Sequence, residues 1–161
     1  MTSTPLPEVV AWRRNAADAG TEVAWTNGCF DLFHLGHLRN LEACAGFAGA
    51  LIVGLNSDAS VRRLKGEGRP LVPFEERAAI LAALRCVDLV VVMFEDEPSS
   101  MIREIRPDVV CKGADYGDGV RPMPERAAAA EVGARLEFVP LVSGLSTSIR
   151  VAELRRPLAG D

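Results

Sequence analysis

Continuous apolar runs alternate along the chain with stretches whose apolar residues recur at helical spacing. Runs with little polar alternation are typical of strands buried on both faces of a sheet. They predict strands at 21–26, 50–55, 87–94, 108–113 and 135–140. The stretches between and after them predict helices at 35–47, 57–64, 74–86, 97–105, 124–134 and 146–156.

This alternation of strands and helices predicts an α/β fold. Each strand is followed by a helix, so the connections are crossovers and the strands form a parallel sheet with helices on both faces. Ligands of such sheets bind at the carboxyl ends of the strands, near the point where the strand order reverses. We therefore expect the site to be built from the loops 26–36, 56–73, 112–123 and 140–147.

The length of 161 residues favours one domain over 1–161, with a core at about 20–156 and frayed ends at 1–6 and 157–161. A net charge of −4 without a long basic run gives no support to nucleic-acid binding. No apolar run is long enough for a membrane span, and the first residues do not resemble a secretory signal, so a cytoplasmic location is expected. Four cysteines without a C-x-x-C pair are interpreted as buried thiols rather than a disulfide or zinc framework.

The stretch "TNGCFDLFHLGH" at 26–37 contains both histidines of the chain and follows the first predicted strand. Gly28 allows backbone to approach a ligand closely. His34 and His37 are three apart and face the same side of a helical first turn, where Gly36 leaves room. Free N–H groups at a helix N-terminus attract phosphate, and two imidazoles would add donors to it. This arrangement favours stabilisation of a phosphoryl group in a transition state.

Two other interpretations of the histidines remain open. They could be ordinary core or surface residues, although their position at the carboxyl end of a strand makes that the weaker interpretation. They could also form a metal site with Asp31, but no further histidine or suitable cysteine pair completes such a site.

Several segments together resemble a known family. "TNGCFDLFHLGH" resembles the H-x-G-H signature of the cytidylyltransferase-like nucleotidyltransferases. "LIVGLNSDASVRRLKGEGRP", "ERAAILAALRCVDLVV", "RPDVVCKGADY" and "VPLVSGLSTS" are similar to its heptose-1-phosphate adenylyltransferase branch, in the same order, over about residues 22 to 150. The resemblance implies a Rossmann-like three-layer sandwich with a five-stranded parallel sheet in the order 3-2-1-4-5.

The resemblance also implies residue roles. His34 would contact the nucleotide phosphates, His37 would stabilise the α-phosphate under attack, and Lys112 would be an electrostatic partner of phosphate. Nucleotide-binding residues would be Thr26, Asn27, Gly28, Cys29, Phe30, Gly36, Arg77, Ser146, Thr147 and Ser148. Substrate-binding residues would be Asp31, Asn56, Asp58, Lys65, Arg69, Asp115 and Tyr116.

Blander roles remain open for some of these residues. Arg77 could pair with Glu75 or Glu76, or support the phosphate site without contacting nucleotide, and Asp58 could cap a helix instead of contacting substrate. Ser146, Thr147 and Ser148 could be N-caps, a role compatible with phosphate binding. The loop 64–70, with its glycines and with Lys65 and Arg69, is predicted to close over the substrate, the alternative being an ordinary turn.

The activity implied by the resemblance is transfer of AMP from ATP, with Mg²⁺, to D-glycero-β-D-manno-heptose 1-phosphate, giving ADP-heptose and pyrophosphate. Magnesium would be held by phosphates and water without direct protein ligands, and a homodimer is expected. A CTP-dependent enzyme acting on an alcohol phosphate such as glycerol 3-phosphate, or a nucleotide-binding regulator without turnover, are the alternatives.

Two departures from the CTP-using relatives favour ATP. Those enzymes carry R-T-x-G-I-S-T before the last helix, where this chain has "LVSGLST" starting at Leu141, and they tend to have Trp in place of Tyr116. The segment 117–132 is less typical of the heptose branch and leaves the exact acceptor sugar open.

Overall fold

A five-stranded parallel sheet forms the centre of the computed structural model, which describes residues 3–117, 122–140 and 151. The strands lie in the order β3-β2-β1-β4-β5, which confirms the predicted fold. They are β1 (Val23–Gly28), β2 (Ala50–Asn56), β3 (Leu89–Met93), β4 (Val109–Gly113) and β5 (Arg135–Val139). The helices are α1 (Leu6–Asp18), α2 (Leu35–Gly46), α3 (Asp58–Lys65), α4 (Phe74–Ala82), α5 (Ser99–Ile105) and α6 (Glu125–Val132).

Helices cover both faces of the sheet, so the molecule has three layers. Alternate residues of β2 point to opposite faces: Leu51 and Val53 join the core formed with α2 and α4, whereas Ile52 joins the core formed with α1, α5 and α6. Burial on both faces explains why β2 is an unbroken apolar run in the sequence.

Two aspartates fix the alignment of the strands. Asp88 lies just before β3, accepts a hydrogen bond from the Leu51 amide at 2.8 Å, and donates its own amide to the Leu51 carbonyl at 2.9 Å. Asp108 lies just before β4 and makes the same pair of bonds with Val23 in β1, at 2.8 and 2.9 Å. These bonds hold neighbouring strands in register, so that their carboxyl ends meet at one edge of the sheet.

Helix α1 was not predicted from the sequence. Within it only Val9 is fully buried, so little of its surface joins the core. Before the helix, the Thr4 amide donates to the Val90 carbonyl of the edge strand β3 at 2.7 Å. The expectation that residues 1–6 are frayed is therefore wrong from Thr4 onward.

Other expectations met a mixed outcome. The helix predicted at 74–86 ends at Ala82, and that predicted at 146–156 lies, apart from residue 151, outside the described residues. Cys44 and Cys111 are buried thiols, but Cys29 and Cys86 are only partly buried, in contrast to the prediction. Among the helices in the described part of the chain, none is long and apolar enough to cross a bilayer.

Candidate active site

A cavity of about 510 Å³ opens at the carboxyl ends of β1, β2 and β4, where the strand order reverses. Most predicted site residues line it. They include the nucleotide-binding set Thr26, Asn27, Gly28, Cys29 and Phe30, and the substrate-binding set Asp31, Asn56, Lys65, Arg69 and Tyr116. His37 and Lys112 also line the cavity, whereas His34, the third predicted catalytic residue, does not.

The histidine pair lies at the start of α2. His34 is the N-cap residue with extended backbone, and its carbonyl accepts from the His37 amide at 2.9 Å. The two rings stack with centroids 3.8 Å apart and 18° between their planes. The buried Nδ1 atom of His37 has no hydrogen-bond partner among the described residues. The atom is itself buried, so it is an unsatisfied nitrogen of the pocket wall rather than one exposed to the cavity.

His37 is uncharged at neutral pH. Burial, followed by the neighbouring His34, lowers its pKa from 6.5 to about 4, and the Asp31 carboxylate opposes this only weakly. An imidazole in this state can donate one hydrogen bond and accept another. An arriving phosphate would favour the protonated form, because it supplies the opposite charge that the empty pocket lacks.

The loop between β1 and α2 is strained where it shapes the pocket. Phe30 and Leu32 have φ angles of 47° and 48°, in the left-handed region that non-glycine residues rarely adopt. Each such residue costs on the order of 1 kcal/mol and persists only where the surroundings impose it. The Phe30 ring meets the His37 ring edge-on at 5.3 Å, so the strained loop supports the imidazole.

Gly28 lies against this same ring. A Cβ atom at Gly28 would lie 3.2 Å from Cε2 of Phe30. The sequence suggested that Gly28 allows close approach of a ligand, and the structure shows that the nearest group is Phe30. Cys29, the next residue, has a thiol whose pKa is raised by burial, which disfavours a nucleophilic role for it.

The buried Arg77 side chain hydrogen-bonds to three segments of the chain around the pocket. Its guanidinium donates to the carbonyls of Cys29, Asn56 (3.0 Å) and Val72 (2.9 Å), and to Oδ1 of Asp58 at 2.7 Å. The side chain is 1% exposed and does not line the cavity. Arg77 thus supports the pocket wall, with Asp58 as its carboxylate partner. Direct nucleotide binding by Arg77 stays a prediction.

Among the residues at the end of β2 and just after it, some line the cavity and others support its wall. Asn56 lines the cavity and donates from Nδ2 to Ser60 Oγ at 3.0 Å. Ser57 is the N-cap of α3, since its hydroxyl accepts from the Ser60 amide at 3.2 Å. Asp58 does not line the cavity and is paired with Arg77. Its role at the substrate stays a prediction.

Asp31 fastens the loop that follows α3. Its buried carboxylate accepts from Arg69 Nε at 2.6 Å and from the amides of Leu71 and Val72, each at 2.9 Å. Burial alone would raise the pKa of Asp31, but these amide bonds and Arg69 together hold it below its usual value. Asp31 was predicted to bind substrate, and in the structure its carboxylate binds other residues of the protein. Arg69 lines the cavity while it is paired with Asp31.

The predicted loop 64–70 is therefore not one uniform segment. Leu64 and Lys65 belong to α3, and Arg69 is anchored by Asp31. Between them Gly66 and Gly68 are exposed, with φ angles of 91° and 81°. Only this short glycine turn has the freedom expected of a closing element.

Lys112 lies at the end of β4 and is held by several neighbours. Its Nζ donates to Asn27 Oδ1 at 3.0 Å, pairs with the Glu125 carboxylate, and lies 5.4 Å from the centre of the Tyr116 ring. Tyr116 ends a short 3₁₀ turn, and its neighbour Asp115 does not line the cavity.

Several residues of the pocket wall were not predicted as site residues, among them Asn40, Asp96, Glu97 and Glu125. Asn40 follows His37 by three positions and so lies on the same face of α2, a spacing that could have indicated it. Glu125 is the first residue of α6 and comes close to Lys112 only through the fold. The predicted residues Ser146, Thr147 and Ser148 lie outside the described part of the chain, and Gly36 lies in the first turn of α2.

No protein-built metal centre is seen in residues 3–117, 122–140 and 151, where no three His, Cys, Asp or Glu side chains are grouped to hold an ion. Two carboxylates of the pocket wall are committed to cations of the protein: Asp31 to Arg69, and Asp96 to Arg63. A magnesium ion bound mainly by phosphate and water fits such a pocket better than one held by side chains.

Comparison with known proteins gave consistent matches. The family model described as cytidylyltransferase-like matches residues 25–151. The chain is 52% identical over 130 residues to the bifunctional protein HldE of Geobacter sulfurreducens, covering 80% of this chain and 26% of that protein. It is 46% identical over 151 residues to the bifunctional protein HldE of Azorhizobium caulinodans, covering 91% of this chain and 29% of that protein. The chain thus spans between a quarter and a third of the length of these curated relatives.

A solved structure shares the fold. The crystal structure of the lipopolysaccharide core biosynthesis protein from Thermoplasma volcanium matches with a TM-score of 0.61 and 22% identity. The match covers 76% of this chain and 98% of that one. At this identity the likeness supports the architecture of the sheet and helices.

Proposed function

Because the chain belongs to the cytidylyltransferase-like family, we propose that it is a nucleotidyltransferase that transfers AMP from ATP to a sugar 1-phosphate. The proposed acceptor is D-glycero-β-D-manno-heptose 1-phosphate, and the products are ADP-heptose and pyrophosphate. Support comes from the segments that resemble the heptose-1-phosphate adenylyltransferase branch, such as "RPDVVCKGADY", and from the 52% identity to a bifunctional protein HldE.

One observation carries the proposal: uncharged His37 and the ammonium of Lys112 line the same cavity at the strand-order reversal. In the proposed reaction an oxygen of the sugar phosphate attacks the α-phosphorus of ATP. The new P–O bond forms as the bond to the β-phosphate oxygen breaks, and pyrophosphate leaves with the electron pair. No covalent bond to the protein is needed, so the residues act by positioning and by neutralising charge.

Each group has a defined task in this scheme. The imidazole of His37 lines the cavity and can hydrogen-bond a phosphate oxygen. Lys112 supplies a fixed positive charge at the end of β4. Magnesium entering with ATP would supply further neutralisation of the triphosphate.

Pyrophosphate release measured across nucleotides and acceptors tests the proposal. We expect turnover with ATP and heptose 1-phosphate, together with an ADP-sugar of the corresponding mass in equal amount. Better kcat/KM with CTP and glycerol 3-phosphate would instead assign the protein to the CTP-using enzymes. ATP binding without pyrophosphate release for any sugar phosphate would indicate a regulator.

We also expect the protein to act as a homodimer in the cytoplasm. The exposed side chains of Leu71 and Ile80 provide apolar surface of the kind that a second copy covers. Light scattering coupled to size-exclusion chromatography measures the mass directly, and a monomer at micromolar concentration would contradict the expectation. Fractionation of cells producing the protein tests its location.

A further inference from the structure

Glu125 is a buried carboxylate to which the proposed reaction assigns no task. It is the first residue of α6, and only 2% of its surface is exposed, although it borders the cavity. Its ion-pair partner is the ammonium of Lys112. Its position at a helix N-terminus is favourable for a negative charge, because the peptide dipoles present their positive end there.

Lys112 is held from three sides in the structure. Asn27 at the end of β1 accepts a hydrogen bond from its Nζ at 3.0 Å, and Glu125 pairs with the same Nζ from α6. The ring of Tyr116 lies 5.4 Å away. A lysine side chain has four rotatable bonds and ordinarily samples many rotamers. Here its charge is fixed at the pocket wall before any substrate arrives.

Stability alone gives a poor account of this pair. Burying two opposite charges costs solvation that their attraction barely repays, and an apolar pair of similar volume is often at least as stable. A charge that is already in place, in contrast, stabilises a transition state without reorganisation during the reaction. The arrangement therefore makes sense as a device for catalysis.

We propose that Glu125 is a positioning residue that holds the Lys112 ammonium in its working place at the end of β4. This inference rests on the proposed function of the pocket, and Glu125 itself touches neither substrate nor the reacting atoms. Without the carboxylate, the Lys112 ammonium loses one of the partners that fix its position. The loss therefore falls on the rate of the chemical step rather than on the binding of ATP.

Kinetics of Glu125→Gln test the proposal. We expect kcat to fall about tenfold, less than for loss of a direct donor, while the KM for ATP does not rise. Glu125→Asp keeps the charge and should recover part of the rate. Glu131→Gln is the matched control, because Glu131 lies on the same helix and pairs with exposed Arg103 away from the cavity. It should leave kcat unchanged.

A measurement without substrate separates this inference from the proposed function. The chain has only two lysines, Lys65 and Lys112, so protein labelled with ¹⁵N in lysine gives two ammonium signals. The held Lys112 ammonium should exchange its protons slowly with water, whereas the exposed Lys65 exchanges fast. Glu125→Gln should make Lys112 behave like Lys65, and this result does not depend on which reaction the enzyme performs.

A double-mutant cycle decides whether Glu125 acts through Lys112. In a Lys112→Ala background, Glu125→Gln should have no further effect on kcat. An undiminished effect there, an unchanged Lys112 signal in Glu125→Gln, or a kcat within twofold of wild type would each overturn the proposal. If Glu125→Gln fails to fold, Glu125→Asp takes its place, with a shifted Lys112 signal and a lowered kcat as the expected result.

Discussion

At the scale of single residues, several groups of the pocket are held in states that cost free energy. His37 is buried enough to lose its charge, and one of its nitrogens has no partner in the described part of the protein. Phe30 and Leu32 hold the neighbouring loop in left-handed backbone. Such costs are typical of functional sites, where a ligand compensates them on binding.

Replacing His37 by Ala should abolish most turnover while ATP still binds. A donor needed mainly in the transition state affects kcat, and its loss typically costs on the order of 10²–10³ in rate. Steady-state kinetics and calorimetric titration with ATP measure the two quantities. A kcat within tenfold of wild type would contradict the role proposed for His37.

Burial of His37 should also make stability depend on pH. Its folded pKa is about 4 against an ordinary value of 6.5, so the unfolded chain binds the extra proton between these values. The free energy of unfolding should therefore be unaffected by this group above pH 6.5 and fall as the pH drops towards 4. The loss has an upper limit of about 3 kcal/mol.

Urea unfolding from pH 4 to 7.5 measures this effect. The variant His37→Gln lacks the titrating group, so its stability should decline less over the same range. Parallel curves for the two proteins would show that His37 does not carry the pH dependence.

Replacing Arg77 should strongly reduce the free energy of unfolding. Its removal leaves the carbonyls of Cys29, Asn56 and Val72 and the Asp58 carboxylate without their donor. Loss of one partner of such a buried charged network costs about 3–5 kcal/mol. Arg77→Met should show this in urea unfolding, whereas Arg103→Ala, at an exposed ion pair, should change stability by less than about 1 kcal/mol. Equal effects would contradict the structural role of Arg77.

At the scale of elements, the segment between α3 and α4 is partly anchored and partly free. Asp31 fastens it at Arg69, Leu71 and Val72, and the exposed glycine turn between Gly66 and Gly68 remains. A closing motion can therefore involve the glycine turn without moving the anchored part. Release of Asp31 would set the whole segment free.

Asp31→Asn should loosen this segment without unfolding the sheet. The neutral amide cannot pair with the Arg69 charge, and one of its two terminal atoms no longer accepts hydrogen bonds. Hydrogen exchange should accelerate at the Leu71 and Val72 amides, while the Gly66 amide, which donates to the Arg62 carbonyl at 2.9 Å, should keep its protection. Asp18→Asn, at the exposed end of α1, is the control and should change nothing there. Unaltered protection of Leu71 in Asp31→Asn would show that the anchor lies elsewhere.

At the scale of the whole molecule, the fold was predicted from the sequence more accurately than the contacts between side chains. Strands such as β2 are continuous apolar runs because both their faces are covered, and this pattern is visible in the chain itself. Helix α1 escaped prediction because it buries few residues. The histidines were found through their position after a strand and their helical spacing.

Side-chain partnerships were the part that the sequence did not reveal. Arg77 was expected at the nucleotide, and in the structure it ties together three segments that are distant in the chain. Asp31 was expected at the substrate and holds a loop that begins 38 positions later. Charged residues of the same types contact ligands and support the protein internally, so only the three-dimensional arrangement distinguishes the two roles.

The two walls of the pocket belong to different layers of the molecule. His37 and Asn40 come from α2, which packs on one face of the sheet, and Glu125 comes from α6, on the other face. A bound ligand touching both walls would act as a removable cross-link between the layers. By mass action, a ligand at a hundred times its Kd adds about 2.7 kcal/mol to the stability of the folded state. For a chain of this size that raises the melting temperature by about 5–10 °C. Heating the protein with single candidate ligands would thus rank nucleotides and sugar phosphates before any reaction is assayed.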